Sequence, residues 1–397
     1  MKVRYAVSNE LLSAVHLGGR TFNILLDHGR ITQLEPAAGP AKAVILSLPH
    51  DPHVHLDKTF TAHRCQADKP GLFGAIEAAE RDKAVWTEAD IRGRANRGLN
   101  EAFDNGVAAL RTHVDWGTPE APLAWHVLGE AAETWHGRMV LQRASLSTLD
   151  LLGDVDHGVK IAKTVAQSGG VLGCFIYRNT DLETKLERVF ALAMRHDLQL
   201  DFHVDEGLDS QAQGFDAIVA LTAKHQFRGR VLCGHACSLA VRPDADVKRV
   251  IAGAAEAGVA LTVMPSTNLY LQDMSSGRTP RQRGLAPMHE LCAAGVEVML
   301  GTDNVRDAFY PFGTYDPLEA LRLGCLAAHL SPAEWCQAIA SGPARAMGLA
   351  VPKIAVGEPA DFILIEAADW AEAISNPRAL RHIFRAGRAL TLEKAAA

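Results

Sequence analysis

Little in this 397-residue chain suggests a covalent or membrane framework. Its seven cysteines (Cys65, Cys174, Cys233, Cys237, Cys292, Cys325 and Cys336) are odd in number and widely scattered. That excludes a disulfide scaffold of the small secreted kind and fits reduced thiols in a cytoplasmic protein. Cys233 and Cys237 stand four apart, but no second pair completes a zinc set, so they read as small core residues. No window approaches eighteen uncharged apolar residues, so no membrane span is expected. The opening "MKVRYAVSNELLSAVHLGGR" has no continuous apolar stretch, and no secretory signal is expected. Positive charge is also scarce: the net charge is −6 and no basic run stands out, which argues against a nucleic-acid partner.

What the chain does have is a globular balance, 48% apolar and 22% charged, at a length that fits a (β/α)8 barrel with something added. Eight apolar runs end in polar residues: "AVILSLPHDPHVH", "VAALRTHVD", "MVLQRASLS", "VLGCFIYR", "LQLDFHVDE", "RVLCGHAC", "VALTVMPST" and "VEVMLGTDN". After a longer first gap they recur at the spacing of one strand, one helix and two short loops. Helical patterns fill the gaps. "TEADIRGRANRGLNEAFDNG" begins with Thr87 as N-cap, "TKLERVFALAMRHD" carries a 3.6-residue apolar period, and "MHELCAAG" closes on glycine. This alternation predicts a parallel TIM barrel. An open doubly wound sheet is the alternative, and no G-x-G-x-x-G follows the first strand to support it. The ends read as short strands, with a turn at Asp27–His28–Gly29. Residues 1–49 plus 351–397 are therefore expected to form one small β-sandwich domain beside a barrel over residues 50–350.

The ionisable residues collect at the C-terminal ends of the expected strands, where parallel barrels carry their active sites. "LPHDPHVHLDKTF" ends strand one with His53 and His55, which share a face because side chains alternate along a strand. Strand five ends with His203, Asp205 and Glu206, strand six with His235, and strand eight with Asp303. One such histidine alone would read as hydrogen-bonded packing. Histidines and an aspartate together form a nitrogen and oxygen donor set for a borderline divalent cation. His113 and Asp115 face one way at the end of strand two and read as support for loops and a ligand histidine. His50, Asp51 and Asp57 read as local caps and packing. Trp116 and Phe309 either stack on a planar ring or cover the mouth.

The ordered set "HVHLD", "HVDE", "GH" and "GTDN" resembles the amidohydrolase superfamily. With "RTHVD", "RQRG", "YPFGTYD" and the C-terminal "VGEPADFILIEA" it is similar to the cytosine deaminase-like branch over essentially the whole chain. The resemblance implies metal ligation by His53, His55, His203 and Asp303, a proton shuttle at Glu206, and a His235 that orients the attacking water. "GCFIYRNT" has no lysine where binuclear relatives carry a bridging one, so one divalent ion, zinc or iron, is implied. The implied activity is hydrolytic deamination of a planar nitrogen heterocycle, whether cytosine-like, pterin, purine or triazine, with release of ammonia or an amine. Asp303 would also take a proton from the water. Asn304 stands where the cytosine deaminases carry a second aspartate and Phe309 where they carry a tryptophan. The base-reading glutamine has no clear counterpart in "QRASLSTLD", where Ser145 and Ser147 lie. "HLDKTF" resembles N-isopropylammelide hydrolase, which makes Lys58 a candidate substrate contact. Other readings are a cyclic amide or imide hydrolase of the same superfamily and a non-catalytic barrel. The expected partner is a small heterocyclic substrate, and assembly into a homo-oligomer is left open.

Overall fold

The computed structural model describes residues 10–390. The described chain opens with four strands: β1 (Glu10–Leu17), β2 (Arg20–Asp27), β3 (Arg30–Pro36) and β4 (Ala43–Ser47). Then come β5 (His50–Val54), β6 (Ala109–Trp116), β7 (Val140–Thr148), β8 (Cys174–Ile176), β9 (Leu200–Val204), β10 (Val231–His235), β11 (Ala260–Val263) and β12 (Val298–Leu300). Three strands close it: β13 (Phe362–Ile365), β14 (Arg381–Arg385) and β15 (Arg388–Ala389). Strands β5 to β12 pair in sequence order, each parallel to the next. A parallel bridge between Val54 and Asp303 closes the ring. Helices lie between successive strands, and the result is a (β/α)8 barrel.

The two ends of the described chain share the second sheet, in the order β15-β14-β13-β4-β1-β2-β3. Alternation along β4 and β13 explains how it sits. Val44, Leu46, Ile363 and Ile365 join the apolar core that runs through the barrel. Ile45, Phe362 and Leu364 point the other way and pack with Leu12, Val15, Ile24, Leu26, Ile31 and Phe384. One face leans on the barrel while the rest encloses a small core, as in a sandwich. The turn between β2 and β3 is the tight one expected: Asp27 pairs with Arg30, and His28 and Gly29 have φ of +47° and +79°. Two residues at positive φ match the right-handed twist of the flanking strands.

Two expected strands are divided differently. "AVILSLPHDPHVH" is not one strand. Pro49 lacks an N–H and restricts the residue before it, so the run breaks there. "AVILS" becomes β4 of the chain-end sheet, and the histidine-rich half is itself the first barrel strand. In "VALTVMPST" the strand stops at Val263, and Pro265 starts the helix Pro265–Leu271, where its missing N–H costs nothing. The long gap after β5 holds two helices. Leu72–Lys83 precedes the expected helix Glu88–Asp104, whose Thr87 hydroxyl accepts from the Asp90 N–H at 3.2 Å. Among the described residues no helix is long and apolar enough to cross a membrane. All seven cysteines are free, and Cys233 and Cys237 are buried.

A methyl group at Gly29 would stand 2.7 Å from the Ala386 carbonyl oxygen, on a backbone already at positive φ. Gly29→Ala should therefore destabilise the protein by about 1–3 kcal/mol. The check is a fall in the denaturant midpoint.

Candidate active site

Strand β5 delivers His53, and the residue just past its end, His55, to the barrel mouth, β9 delivers His203, and the turn after β12 delivers Asp303. His53 Nε2 lies 3.0 Å from His203 Nε2, and His203 Nε2 lies 3.2 Å from His55 Nε2. Asp303 Oδ1 is 3.2 Å from His55 Nε2 and 3.7 Å from His53 Nε2. All four side chains are buried. Donors about 2.0–2.2 Å from one cation stand roughly 3–3.5 Å from each other, so this N3O set has the size of a metal shell. Its chemistry fits as well. Burial and the neighbouring imidazoles hold His53 and His203 well below the usual histidine range. Burial, then the Lys58 charge, lowers His55. Neutral rings keep their lone pairs for a metal. Burial alone would raise Asp303, but the imidazoles beside it, His55 before His235, keep its carboxyl below the ordinary value. Neither oxygen of Asp303 has a hydrogen-bond partner among the described residues. A buried charge without donors calls for a cation.

Close packing sets the candidate donor rings in place. His113, on β6, lies over His53 with ring centroids 4.1 Å apart. Its Nε2 is 3.2 Å from Asp201 Oδ1, and Asp201 is held from the other side by Arg111 Nη1 at 2.9 Å. The glycine before His235 is required by contact rather than by φ. A Cβ at Gly234 would stand 2.8 Å from His53 Cε1. Asp51 does more than cap a turn: Oδ2 accepts from the Thr302 hydroxyl at 2.6 Å, and Oδ1 accepts from the His53 N–H at 3.2 Å. It ties the ligand strand to β12, and burial raises its carboxyl to about 7. Asp57 accepts from the Asp115 N–H at 2.9 Å, and His50 Nδ1 meets the Leu48 carbonyl at 3.1 Å.

The donor set opens into a cavity of about 160 Å³, lined among others by Lys58, Trp116, Ser147, Glu206, His235, Asn304 and Phe309. Glu206 is buried, and desolvation, then the Asp303 charge, raises its carboxyl well above the usual range. His235 has φ of +72°, a strained value held by its surroundings. The Asn268 amide N–H, from the helix Pro265–Leu271, meets His235 Nδ1 at 3.0 Å, and Glu206 Oε1 lies 3.5 Å from the same nitrogen. The contact engages Nδ1 and leaves Nε2 without a partner among the described residues. Burial lowers His235 to about 4.

One wall is charged. Lys58 Nζ meets Asp115 Oδ1 at 2.6 Å and lies 5.2 Å from the centre of the Phe309 ring. Lys83 reaches the other oxygen of Asp115 at 2.9 Å from the inserted helix Leu72–Lys83, which covers the mouth with Leu72, Ile76 and Ala79. Asn304 donates through Nδ2 to Asp307 Oδ2 at 2.8 Å. Trp116 lies edge-on to Trp125, with centroids 5.0 Å apart. Ser145 is set apart from the cavity. Its hydroxyl donates to the Gly173 carbonyl at 3.1 Å and accepts from the Gly173 N–H at 3.0 Å, a bridge between β7 and the segment entering β8. Ser147, two residues on, shares the cavity wall instead.

Asp201, Asn268 and Lys83 were not singled out in the sequence. Asp201 was findable, since it stands two residues before His203 on the same strand face. Asn268 lies just beyond a run read as strand, and Lys83 ends an ordinary amphipathic helix. Neither carries a local signal.

A profile described as "Amidohydrolase family" matches residues 118–388. The pterin deaminase of Rhizobium rhizogenes is 33% identical, over 98% of this chain and 94% of its own. The N-isopropylammelide isopropyl amidohydrolase of a Pseudomonas species is 22% identical, over 87% and 85%. The crystal structure of 5-methylcytosine deaminase from Klebsiella pneumoniae superimposes with a TM-score of 0.85 at 22% identity, over 98% of both chains. That likeness speaks for the fold.

Replacing His113 by leucine removes the ring that packs on His53 and its link to Asp201. Zinc affinity, read by competition with a chelating dye, should fall about 10–100-fold, with far-ultraviolet circular dichroism unchanged.

Proposed function

The chain belongs to the amidohydrolase family, and on that premise we propose that it is a metal-dependent hydrolytic deaminase of a planar, amino-bearing nitrogen heterocycle of the pterin type. His53, His55, His203 and Asp303 would hold one divalent cation, zinc or iron. The observation that carries the reading is the convergence of three neutral Nε2 atoms and an unpartnered carboxylate on one cavity that also contains Glu206 and His235. The choice of ring rests on the 33% identical pterin deaminase.

A cation bound there would supply an activated water and a polarising charge beside the reacting carbon. The other steps belong to the chain's own side chains. Asp303, through an oxygen without a hydrogen bond, accepts a proton from the attacking water. Glu206, protonated in its dry setting, gives a proton to the ring nitrogen next to the attacked carbon; Asp303 then passes the proton it took to the amino group, the C–N bond breaks and ammonia leaves, and the proton of the new hydroxyl returns to Glu206 as the carbonyl forms. His235, protonated on Nε2, donates to the developing oxyanion. Phe309 and Trp116 flank the ring plane. The Lys58 ammonium, held charged by Asp115 and Asp57 despite burial, faces the ring edge with Asn304.

A screen for ammonia release over pterin, cytosine, 5-methylcytosine, isoguanine, creatinine and aminotriazines should rank a pterin first, at a kcat/KM of about 10⁴ M⁻¹s⁻¹ or more. Protein carrying one metal per chain that releases ammonia from none of them refutes the reading.

Glu206→Gln should keep the metal, by elemental analysis, and lose about 10²–10⁴-fold in kcat. Loss of metal from a folded variant would make Glu206 a ligand instead.

Asn304→Asp would set a second carboxylate against Asp307, where the amide now donates. Like charges this close cannot both ionise, so one must take up a proton or the loop must shift. kcat/KM for the best substrate should drop at least about tenfold, measured beside the metal content. An unchanged value would mean that the amide is not used.

A further inference from the structure

Lys58 is set in place by residues outside the catalytic cavity. Arg94, on the helix Glu88–Asp104, is 8% exposed and is not among the residues lining that cavity. Its Nη1 donates to the Asp57 carbonyl at 2.6 Å and to the Thr59 carbonyl at 3.1 Å, the carbonyls on either side of Lys58. The Lys58 carbonyl itself accepts from the Thr61 hydroxyl at 2.7 Å. From the other side the Thr59 hydroxyl and the Phe60 N–H both donate to the Val305 carbonyl, at 2.9 and 3.0 Å. The Ala62 N–H donates to the Arg306 carbonyl at 2.8 Å. Phe60 has φ of +60°, a left-handed value that an aromatic residue keeps only where its neighbours hold it. Residues 57–62 are therefore pinned between the helix and the loop after β12.

The ties run on in both directions and meet. Behind Arg94, Asp90 accepts from its Nη2 at 2.8 Å and from Arg64 Nη1 at 2.8 Å. Arg64 Nε reaches Asp82, on the inserted helix, at 2.9 Å. In front, Asp115 joins Lys58 to Lys83, the residue after Asp82. The circuit thus leaves the inserted helix and returns to it one residue on. Its outer half, Arg64 and Asp90, is part-exposed and adds little. Its inner half is buried, and there Arg94 is the donor that two carbonyls share. The Lys58 ammonium has three donors and gives one to Asp115, its one hydrogen-bond acceptor among the described residues. Where the other two point depends on where the backbone is held.

We infer that Arg94 is a positioning residue for substrate binding. By fixing the carbonyls on both sides of Lys58 it aims the ammonium at the ring edge, without itself touching the ring. The inference rests on the deaminase reading, in which Lys58 is a ring contact, and deepens it.

The test is a double-mutant cycle on the holoenzyme, with the best substrate of the ammonia-release screen. Arg94→Gln, Lys58→Met and the double variant are assayed beside the unsubstituted protein. Lys58→Met leaves Asp115 paired with Lys83, so no buried carboxylate is stranded. Each single variant should raise KM about tenfold or more, the scale of one charged hydrogen bond, with kcat and metal content within about twofold. In the Lys58→Met background Arg94→Gln should change KM by less than about twofold, because what it positions is already gone. Arg94→Lys, which donates to a carbonyl but lacks the fork, should fall between Arg94→Gln and the unsubstituted protein. KM does not depend on how much of a preparation is folded, so partial unfolding leaves the comparison intact. An unchanged KM in Arg94→Gln, or a full Arg94→Gln effect that persists beside Lys58→Met, overturns the positioning role. An unchanged KM in Lys58→Met removes the ring contact and the inference with it. Each of these leaves the deaminase reading standing. No ammonia from any ring with one metal bound overturns both.

Discussion

The seam between the first and last barrel strands is the constraint on which the rest depends. Asp51 takes the Thr302 hydroxyl and the His53 N–H, and the Asp303 N–H donates to the His53 carbonyl at 2.9 Å. These bonds set β5 beside β12. They bring two histidines from near the start of the chain against an aspartate some 250 residues away. Were the seam to slip by one residue, the period-two alternation would turn His53 and His55 out of the barrel and leave Asp303 without its nitrogen partners.

Burial then gives these residues their chemistry. The same dry surroundings push imidazoles toward the neutral form and Glu206 toward the protonated form. Neutral imidazoles can lend their lone pairs to a cation, and a protonated carboxyl can give up a proton. The barrel interior below is polar where branched aliphatic side chains are the usual filling. Arg111, Asp201 and His113 form a column under His53, with Gln142 and Gln199 satisfying the rest of the guanidinium. The column trades some apolar packing for a ligand ring that cannot turn freely.

Much of the architecture was legible because strands and the placement of candidate donors follow short rules. His53 and His55 share a face by alternation, and strand ends of a parallel barrel point to one mouth. The two misplaced boundaries have local causes, Pro49 and Pro265, each of which interrupts an apolar run whose hydrophobicity alone reads as continuous. Ser145 and Ser147 differ by a step of two and share a face in the strand. Only the approach of Gly173 to Ser145 decides which hydroxyl is consumed by the fold.

The barrel, the sheet shared by the two ends of the described chain, and the order of the candidate donor residues can be read from sequence, because periodicity and residue chemistry are local properties. Tertiary structure alone decided the rest. Lys83 is an ordinary helix-end lysine until the inserted helix folds over the mouth and sets it on Asp115. Asn268 says nothing about His235 until the helix after β11 aims its amide at Nδ1. The protonation states of Glu206 and His235 arise from water excluded by side chains far away in sequence, and desolvation is a property of the packed whole that no short stretch of residues encodes.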